Sequence, residues 1–176
     1  MAERLYDIIV FGATGYTGKN VIRYVARSAN DLGDIKWAVA GRDELKLRRV
    51  LGLIPSDQKS SDVGVIVCDV KDELSLLEMA GKGKLVLNCV GPYRFSGEAD
   101  VKACIAKGTH HVDVSGEPQF LETMQLLYHK EAQEKGIYVV GACGFDSVPS
   151  DAVSYTHLRA HETLRYLVCR LLLEKK

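Results

Sequence analysis

The chain has 176 residues, and its 23 Lys and Arg balance its 23 Asp and Glu. This length is typical of one domain with a substantial core, and the sequence has no basic stripe with interleaved aromatic residues, which excludes nucleic acid as a partner. The five cysteines have neither metal-ligand spacing nor a disulfide-rich pattern, and no secretory signal precedes the first apolar run. We therefore expect an intracellular, cytoplasmic protein without a metal site.

The first predicted element is a strand over Tyr6 to Phe11, which leads directly into the glycine-rich turn GATGYTG, Gly12 to Gly18. After the turn, apolar residues from Val21 to Ala26 have helical spacing. Strand, glycine turn and helix in this order are typical of a site for a nucleotide diphosphate. Gly12 would permit the tight turn, Gly15 the close approach of backbone to the diphosphate, and Gly18 the packing of helix on strand. We expect this turn to contribute six cofactor-binding residues: Gly12, Thr14, Gly15, Tyr16, Thr17 and Gly18. The alternative is that the glycines only turn the chain.

The second predicted strand, Ile35 to Ala40, ends at Gly41 and Arg42, where a fold that selects NAD usually has a carboxylate. The guanidinium of Arg42 suits a 2′-phosphate, so Gly41 and Arg42 are predicted to bind the adenosine ribose and NADP is preferred to NAD. Asp43 and Glu44 look like first-turn residues of the next helix, where acidic side chains suit the helix dipole. Two alternatives stay open: Arg42 is an ordinary solvated arginine, or Asp43 reaches a ribose.

Strand-like and helix-like segments then alternate to the end of the domain, which predicts an α/β fold with a doubly wound, parallel, six-stranded sheet. A helix over Glu73 to Ala80 is predicted to begin at an Asp72 cap and to pack through Leu74, Leu77 and Met79. The remaining predicted elements are a helix Glu44–Leu53, a loop Pro55–Asp62, strands Val63–Cys68 and Leu85–Val90, a helix of about Glu98–Ala106, a strand His111–Val114, a helix of about Pro118–Glu134, and a strand Ile137–Val140. Gly108 and Gly136 stand where helices prefer to end.

Polar residues at the strand ends are the remaining candidates for a site. Asp69 follows the third strand, where similar folds hold the adenine edge, although an Asp there is as often a turn former or helix cap. Cys89 and Cys143 lie near the predicted cofactor, but without a lowered pKa we interpret them as unreactive thiols. His110 and His111 are not a ligand pair, because neighbouring side chains of a strand point to opposite faces.

The last segment, Val153 to Lys176, differs in character from the rest. Residues 153–162 and 166–176 correspond, in one reading frame, to the two parts of a tagmentation sequencing adapter. We therefore interpret 153–176 as a non-native tail and 1–152 as the domain. The tail holds five basic and two acidic residues, so 18 basic and 21 acidic residues remain in 1–152, a formal net charge of −3. The alternative is a membrane-surface helix, with several leucines on one side and three arginines available to anionic lipid.

Five segments together resemble the saccharopine dehydrogenase-like oxidoreductases, specifically their N-terminal NADP-binding domain. They are GATGYTG from Gly12, WAVAGR from Trp37, LNCVGPYRFSGE from Leu87, HVDVSGEPQF from His111 and GFDSVPSD from Gly144, and the resemblance covers residues 5–151. It implies that Gly12, Gly15 and Gly18 bind the diphosphate and Arg42 the ribose phosphate. It also implies site residues at later strand ends: Asn88, Gly91 and Pro92 on the nicotinamide side, Asp113, Ser115, Gly116 and Glu117 at the adjoining strand end, and Asp146, Ser147 and Pro149 at the crossover to a second domain. The alternative is that Gly91, Pro92 and Gly116 shape loops and that Asp146 and Asp151 cap helices.

The resemblance implies an NADP-dependent oxidoreductase linked to lipid or glycolipid metabolism, on lipid droplets or other membranes in its animal members. Family members continue into an α+β substrate domain, so we expect this chain to bind coenzyme without turning over a substrate. No catalytic residue is identified, since Tyr16 with Lys19 and Tyr128 with Lys130 lack the Tyr-x-x-x-Lys spacing of short-chain reductases. The alternative function is a non-catalytic NADP-binding or sensing module of a membrane-associated protein.

Overall fold

The structure is a computed structural model, and it describes residues 4–31, 35–54 and 63–158. The strands in these ranges are β1 (Tyr6–Phe11), β2 (Trp37–Gly41), β3 (Gly64–Val67), β4 (Gly83–Asn88), β5 (His110–Asp113) and β6 (Val139–Val140). The helices are α1 (Tyr16–Asp31), α2 (Glu44–Leu51), α3 (Glu73–Lys82), α4 (Tyr93–Lys107), α5 (Pro118–Glu134) and α6 (Val148–Val153), followed by a π-helical turn, Ser154–Leu158. The predicted loop Pro55–Asp62 lies outside the described residues.

All five strand pairs are parallel, and the sheet order is β3-β2-β1-β4-β5-β6. This order confirms the predicted doubly wound fold, in which the chain reverses direction across the sheet beside β1. The register places Phe11 of β1 beside Ala40 of β2 and Asn88 of β4. The carboxyl ends of these three strands therefore meet at one edge, which is where open parallel sheets bind ligands.

Alternating side chains of β1 pack against helices on opposite faces of the sheet. Ile9 and Phe11 belong to the core that includes Leu76 of α3, whereas Val10 belongs to the core that includes Ile22 and Leu47. The predicted apolar face of α1 is therefore confirmed. The period of two along the strand is the physical reason that one buried strand supports two cores.

The predicted start of α3 is correct, but its predicted apolar face is partly wrong. The carboxylate of Asp72 accepts the amides of Leu74 and Ser75, as expected of a helix cap. Leu74, however, is 73% exposed, and the residues that the helix buries are Leu76, Met79 and Ala80, with Leu77 packed at their edge. Four residues of the segment Leu74–Met79 are apolar, so its helical phase is ambiguous, and tertiary contact with the sheet selects the face.

Helix α4 begins at Tyr93, five residues before its predicted start at Glu98. Ser96 and Gly97, which precede the predicted start, both lie inside the helix. Gly97 is required there by close packing, since an added Cβ would lie 2.6 Å from Cζ of Phe120 on α5. The other element bounds differ from their predictions by at most about two residues, except that α1 extends from Tyr16 to Asp31, beyond the predicted helical segment at both ends.

The segment interpreted as a non-native tail falls mostly beyond the described part of the chain. Its first residue, Val153, ends α6, its next five residues form the π-helical turn, and residues 159–176 lie outside the described ranges. The proposed membrane-surface helix lies there too. Among the helices that the structure describes, none is both long and apolar enough to cross a bilayer.

Candidate functional site

A cleft of about 460 Å³ opens at the sheet edge where β1, β2 and β4 end. It is formed by the loops that follow these strands and by the turn after β3. Seven of the twelve predicted cofactor-binding residues line it: Gly12, Thr14, Gly15, Gly41, Arg42, Gly91 and Pro92. The structure therefore gathers residues from three separate segments of the sequence into one concave site.

The glycine turn at the floor of this cleft tolerates no side chain at two of its positions. Gly12 has φ +82°, and an added Cβ would lie 2.7 Å from Cγ2 of Val90 and 3.1 Å from the carbonyl carbon of Cys89. At Gly18 an added Cβ would lie 2.7 Å from the Cα of Ala13, so the first turn of α1 rests directly on the loop. The predicted structural roles of Gly12 and Gly18 agree with this geometry.

The main chain of the glycine turn and of the start of α1 has amide donors without an acceptor, beside the cleft that Thr14 and Gly15 line. The Gly15 amide donates to the Gly12 carbonyl at 3.0 Å and the Lys19 amide to the Gly15 carbonyl at 3.0 Å. The amides of Thr14, Tyr16 and Thr17 have no acceptor among the described residues. Free amides at a helix N-terminus carry partial positive charge and bind anions, so this turn fits a diphosphate.

Helix α4 also begins at this edge, but its first amides are already bonded. The Glu117 carboxylate, from the start of α5, accepts the Tyr93 amide at 2.8 Å and the Arg94 amide at 3.0 Å. A carboxylate from another element therefore occupies the place where an anionic ligand would bind. Of these two helix starts, the α1 turn is therefore the one whose amides are free to bind an anion.

The charged residues that line the cleft are Arg42 and Lys71, with no carboxylate among the described lining residues. Asp43, the alternative ribose ligand, instead caps α2: its carboxylate accepts the Lys46 amide at 3.0 Å and pairs with the Lys46 ammonium at 3.3 Å. The backbone hydrogen bond from Lys46 is the main cause that lowers the pKa of Asp43. The positive lining fits a dinucleotide that carries an additional phosphate better than one with free ribose hydroxyls.

Two predicted ligands, Asp69 and Asn88, lie outside the lining. An Asp69 carboxylate oxygen accepts the Lys71 amide at 3.0 Å, so Asp69 forms the turn, which was the stated alternative. Asn88 is 1% exposed; its Oδ1 accepts the Val90 amide at 2.7 Å, and its carbonyl accepts the Tyr93 hydroxyl at 2.9 Å. Its Nδ2 is buried without a hydrogen-bond partner in the structure. Asn88 therefore shapes the loop after β4 from behind the cleft.

Tyr16, Thr17 and Gly18 are the other predicted ligands that do not line the cleft. The Tyr16 ring is 89% exposed and Thr17 is also exposed. Gly18 is buried under the turn. For Tyr16 and Thr17, the groups that suit a role in binding are their main-chain amides, which have no acceptor among the described residues.

The residues predicted at the β5 and β6 ends hold loops in place. One Asp113 carboxylate oxygen accepts the amides of Ser115 and Ala142, at 2.9 and 3.1 Å, and the latter residue has φ +56°. The Ser115 hydroxyl accepts the Glu117 amide at 3.1 Å. These bonds position Glu117 for its contact with α4. The alternative reading, in which Asp146 and Asp151 cap helices, does not match the structure, since Ser147 is the N-cap residue of α6 and Asp151 lies within its first turn.

Burial affects the thiols near the cleft, and the two neighbouring histidines contact different residues. Burial raises the pKa of Cys89, a lining residue, to about 11, and it raises the pKa of the exposed Cys143. The imidazole of His110 accepts the Tyr138 amide, while His111 is fully buried with its Nε2 3.1 Å from Asp100, so the two rings occupy opposite faces. No group of three His, Cys, Asp or Glu near enough to hold a metal ion occurs in the described ranges.

Seven lining residues were not predicted as ligands, although Cys89 was expected to lie near the cofactor: Phe11, Val70, Lys71, Cys89, Val90, Phe95 and Ser96. Phe95 was hidden by the late predicted start of α4; its ring is 77% exposed, and the Arg94 guanidinium lies 4.8 Å from the ring centroid. Lys71 had one available signal in the sequence, which is its position in the turn three residues after Cys68, the predicted end of the third strand. The lining therefore contains two cations, one thiol and one aromatic ring at the mouth.

A larger groove of about 610 Å³ runs between α5 and the edge strand β6. Its walls are mainly apolar, including Phe120, Met124, Ile137 and Val139. It contains neither a glycine turn with free amides nor a Lys or Arg. We therefore assign the candidate site to the smaller cleft, whose chemistry suits a phosphorylated ligand.

Comparisons with known proteins agree with this geometry. The family model described as "Saccharopine dehydrogenase NADP binding domain" matches residues 8–140. The chain is 49% identical over 170 residues to a "Saccharopine dehydrogenase-like oxidoreductase" of Mus musculus, covering 92% of this chain and 40% of the relative. It is 47% identical over 165 residues to the "Lipid droplet localized protein" of Caenorhabditis elegans, covering 92% and 38%.

Two more distant likenesses extend these matches. A "Putative trans-acting enoyl reductase" of Mycobacterium tuberculosis is 39% identical over 155 residues, covering 86% of this chain and 35% of the relative. The solved apo saccharopine dehydrogenase (L-Glu forming) of Saccharomyces cerevisiae superposes with a TM-score of 0.65 at 26% identity, covering 90% of this chain and 30% of that chain. The chain thus spans well under half the length of the curated relatives described here.

Proposed function

This chain belongs to the saccharopine dehydrogenase NADP-binding domain family, and from this premise we propose that it is the coenzyme-binding part of an oxidoreductase that acts on a lipid-related substrate. The family resemblance of the sequence and its NADP coenzyme are thereby confirmed. The observation that carries the proposal is the cleft lined by Gly12, Thr14, Gly15 and Arg42, next to the amides of Tyr16 and Thr17 that have no acceptor among the described residues.

In the proposed arrangement the diphosphate lies on the amides of Thr14, Tyr16 and Thr17, close to the backbone of Gly15. The adenosine ribose phosphate lies toward Gly41 and Arg42, at the end of β2. The nicotinamide lies toward Gly91 and Pro92, at the end of β4, with Asn88 supporting that loop from behind. This order follows from the sheet, because β2, β1 and β4 are adjacent in it.

When bound, the coenzyme supplies a hydride, and the residues of this chain bind and orient it. The titratable groups of the described lining are Arg42, Lys71 and Cys89. The described lining contains no His, Tyr, Asp or Glu, and burial raises the pKa of the Cys89 thiol to about 11, which makes this thiol a weak proton donor. We therefore propose that proton transfer and substrate positioning reside in the sequence that the longer relatives have in addition.

The link to lipids rests on two relatives. One is named for its lipid-droplet location and the other as a putative enoyl reductase. A reductase that acts on an enoyl or carbonyl group of a lipid at a droplet or membrane surface would be consistent with the names of both relatives. This location and this substrate class are proposals for the full-length protein.

The second candidate is a non-catalytic module that binds NADP as a structural or sensing ligand. The absence of a suitable proton donor from the described cleft lining favours it. It differs from the first candidate in one respect that can be measured, which is substrate-dependent oxidation of bound NADPH.

The experiment that separates the two is performed on the full-length protein. Fluorescence titration with NADPH and NADH first establishes binding, and NADPH absorbance then follows oxidation in the presence of lipid enoyl thioesters and lipid aldehydes. The oxidoreductase proposal predicts oxidation by at least one substrate class. Tight NADPH binding without oxidation by any of them would favour the sensing module, and no binding would overturn both.

A further inference from the structure

We infer that Lys71 is a second cation for the 2′-phosphate of NADP and that, together with Arg42, it sets the selection of NADP over NAD. This inference rests on the proposed placement of the coenzyme in the cleft. Arg42 follows β2 and Lys71 lies in the turn between β3 and α3, and both line the same cleft. From the sequence, Arg42 alone was predicted to bind this phosphate.

The pairing of β2 with β3 brings these two side chains to one edge. Gly41 is in register with Val67, and the Cys68 amide donates to the Gly41 carbonyl at 3.0 Å. The two strands therefore end side by side. The residue after one strand and the turn after the other then lie at adjacent positions, at the end of the cleft where the adenosine is placed.

The backbone that carries Lys71 is held by the turn itself. The Lys71 amide donates to an Asp69 carboxylate oxygen, and the Asp72 amide donates to the Asp69 carbonyl at 3.0 Å. Asp72 in turn accepts the first amides of α3. Both nearby carboxylates are thus bonded to main-chain amides of their own turn and lie outside the cleft lining.

The Lys71 side chain is free by contrast. It is exposed, and its ammonium has no hydrogen bond or ion pair with any residue in the described ranges. The Arg42 guanidinium is likewise unpaired within those ranges. Surface cations of this chain commonly pair with a neighbouring carboxylate, as Lys46, Arg48, Lys84 and Lys102 do.

Charge balance explains why a second cation is useful here. A phosphate monoester carries about −1.5 to −2 charges near pH 7. One guanidinium compensates about half of this charge, and an ammonium from the facing turn compensates the rest. Arg42 supplies a planar fork for two oxygens, whereas Lys71 supplies a mobile point charge for the third. NAD has an uncharged ribose hydroxyl at this position, so it makes no ionic contact with Arg42 or Lys71.

The test measures Kd for NADPH and NADH on the full-length protein carrying Lys71→Gln, at one fixed ionic strength. We expect Lys71→Gln to weaken NADPH binding about tenfold and to change NADH binding less than about twofold, since a hydrogen bond to a charged group is lost for one coenzyme only. Lys71→Arg, which keeps the charge, restores most of the affinity. Lys130→Gln is the matched control, because Lys130 is an exposed lysine of α5 away from the cleft.

A competition arm identifies the group that is recognised. Adenosine 2′,5′-bisphosphate displaces NADPH better than adenosine 5′-phosphate does in the parent protein, and Lys71→Gln reduces this preference. Equal weakening of NADPH and NADH would overturn the inference by placing Lys71 on the shared diphosphate, as would unchanged affinity for both. A parent protein that binds neither coenzyme would instead overturn the coenzyme placement itself.

Discussion

The substitution Gly18→Ala tests whether α1 must lie directly on the glycine turn. Two effects oppose each other at this position. Ala has the higher helix propensity, and propensity alone would stabilise the fold by up to about 1 kcal/mol. The added Cβ, however, would lie 2.7 Å from the Cα of Ala13 and 2.8 Å from the carbonyl carbon of Gly12. The sign of the stability change therefore decides which effect dominates.

The steric effect is the larger one on this geometry. Nonbonded carbon atoms pack at about 3.5–4.0 Å, so each contact is too short by roughly 1 Å. Both partner atoms are backbone, and they cannot rotate away as a flexible side chain would. Overpacking costs about 1–3 kcal/mol, and a backbone overlap of this size belongs at the upper end. We expect a net loss of about 2 kcal/mol in the free energy of unfolding.

The displacement of α1 also moves the amides of Thr14, Tyr16 and Thr17, so we expect NADPH to bind at least about tenfold more weakly. The assay is urea unfolding followed by circular dichroism, combined with NADPH titration. Gly81→Ala in α3 is the control, because the nearest atom to its added Cβ, Cδ of Lys107, is 3.9 Å away. That variant should be unchanged or more stable by up to about 1 kcal/mol. A Gly18→Ala protein as stable as its parent, with unchanged NADPH affinity, would refute the reasoning.

Three further predictions concern the loops and strands around the cleft. Glu117→Ala removes the acceptor of the first two α4 amides and should lower the free energy of unfolding by about 1–2 kcal/mol in urea titrations, whereas Glu122→Ala on the exposed side of α5 should change it little. Hydrogen bonds from Lys84 and the Lys36 amide lower the pKa of Asp7. Ionised Asp7 therefore stabilises the fold above the ordinary Asp pKa, and this stabilisation is lost as the pH falls. The stability difference between the parent and Asp7→Asn, measured by thermal unfolding, should therefore narrow below about pH 4, and a difference that widens in acid would contradict this. The pKa of Cys89 near 11 predicts that its alkylation by iodoacetamide, followed by mass spectrometry, accelerates about tenfold per pH unit between pH 7 and 10, and a rate already constant at pH 8 would show the thiol to be activated.

The fold and the floor of the cleft followed from local patterns. The turn at Gly12 needs a positive φ and closely approaching backbone, and only glycine supplies both, so three spaced glycines between a strand and a helix carry the information within seven residues. Arg42 was identified in the same way, from its place at a strand end. The alternation of strands and helices then predicted the doubly wound parallel sheet, and the observed sheet order agrees with this prediction.

The errors arose where tertiary contacts decide local structure. The start of α4 depends on Glu117, whose carboxylate accepts a hydrogen bond from the Tyr93 amide. Glu117 lies 24 residues from Tyr93 in the sequence, so no local pattern around Tyr93 could reveal where the helix begins. The buried face of α3 depends on the sheet, which selects Leu76 rather than Leu74. Lys71 enters the lining because β3 pairs with β2, and that pairing is a long-range property of the fold.

The most direct test of the central claim, that the free α1 amides hold the coenzyme diphosphate, is a ¹H–¹⁵N NMR titration of the chain with NADP. The account predicts large shifts for the amides of Thr14, Tyr16 and Thr17. It predicts much smaller shifts for Tyr93 and Arg94, whose amides are already bonded to Glu117. Saturating NADP that leaves the three α1 amides unshifted, or that mainly shifts the start of α4, would contradict the account.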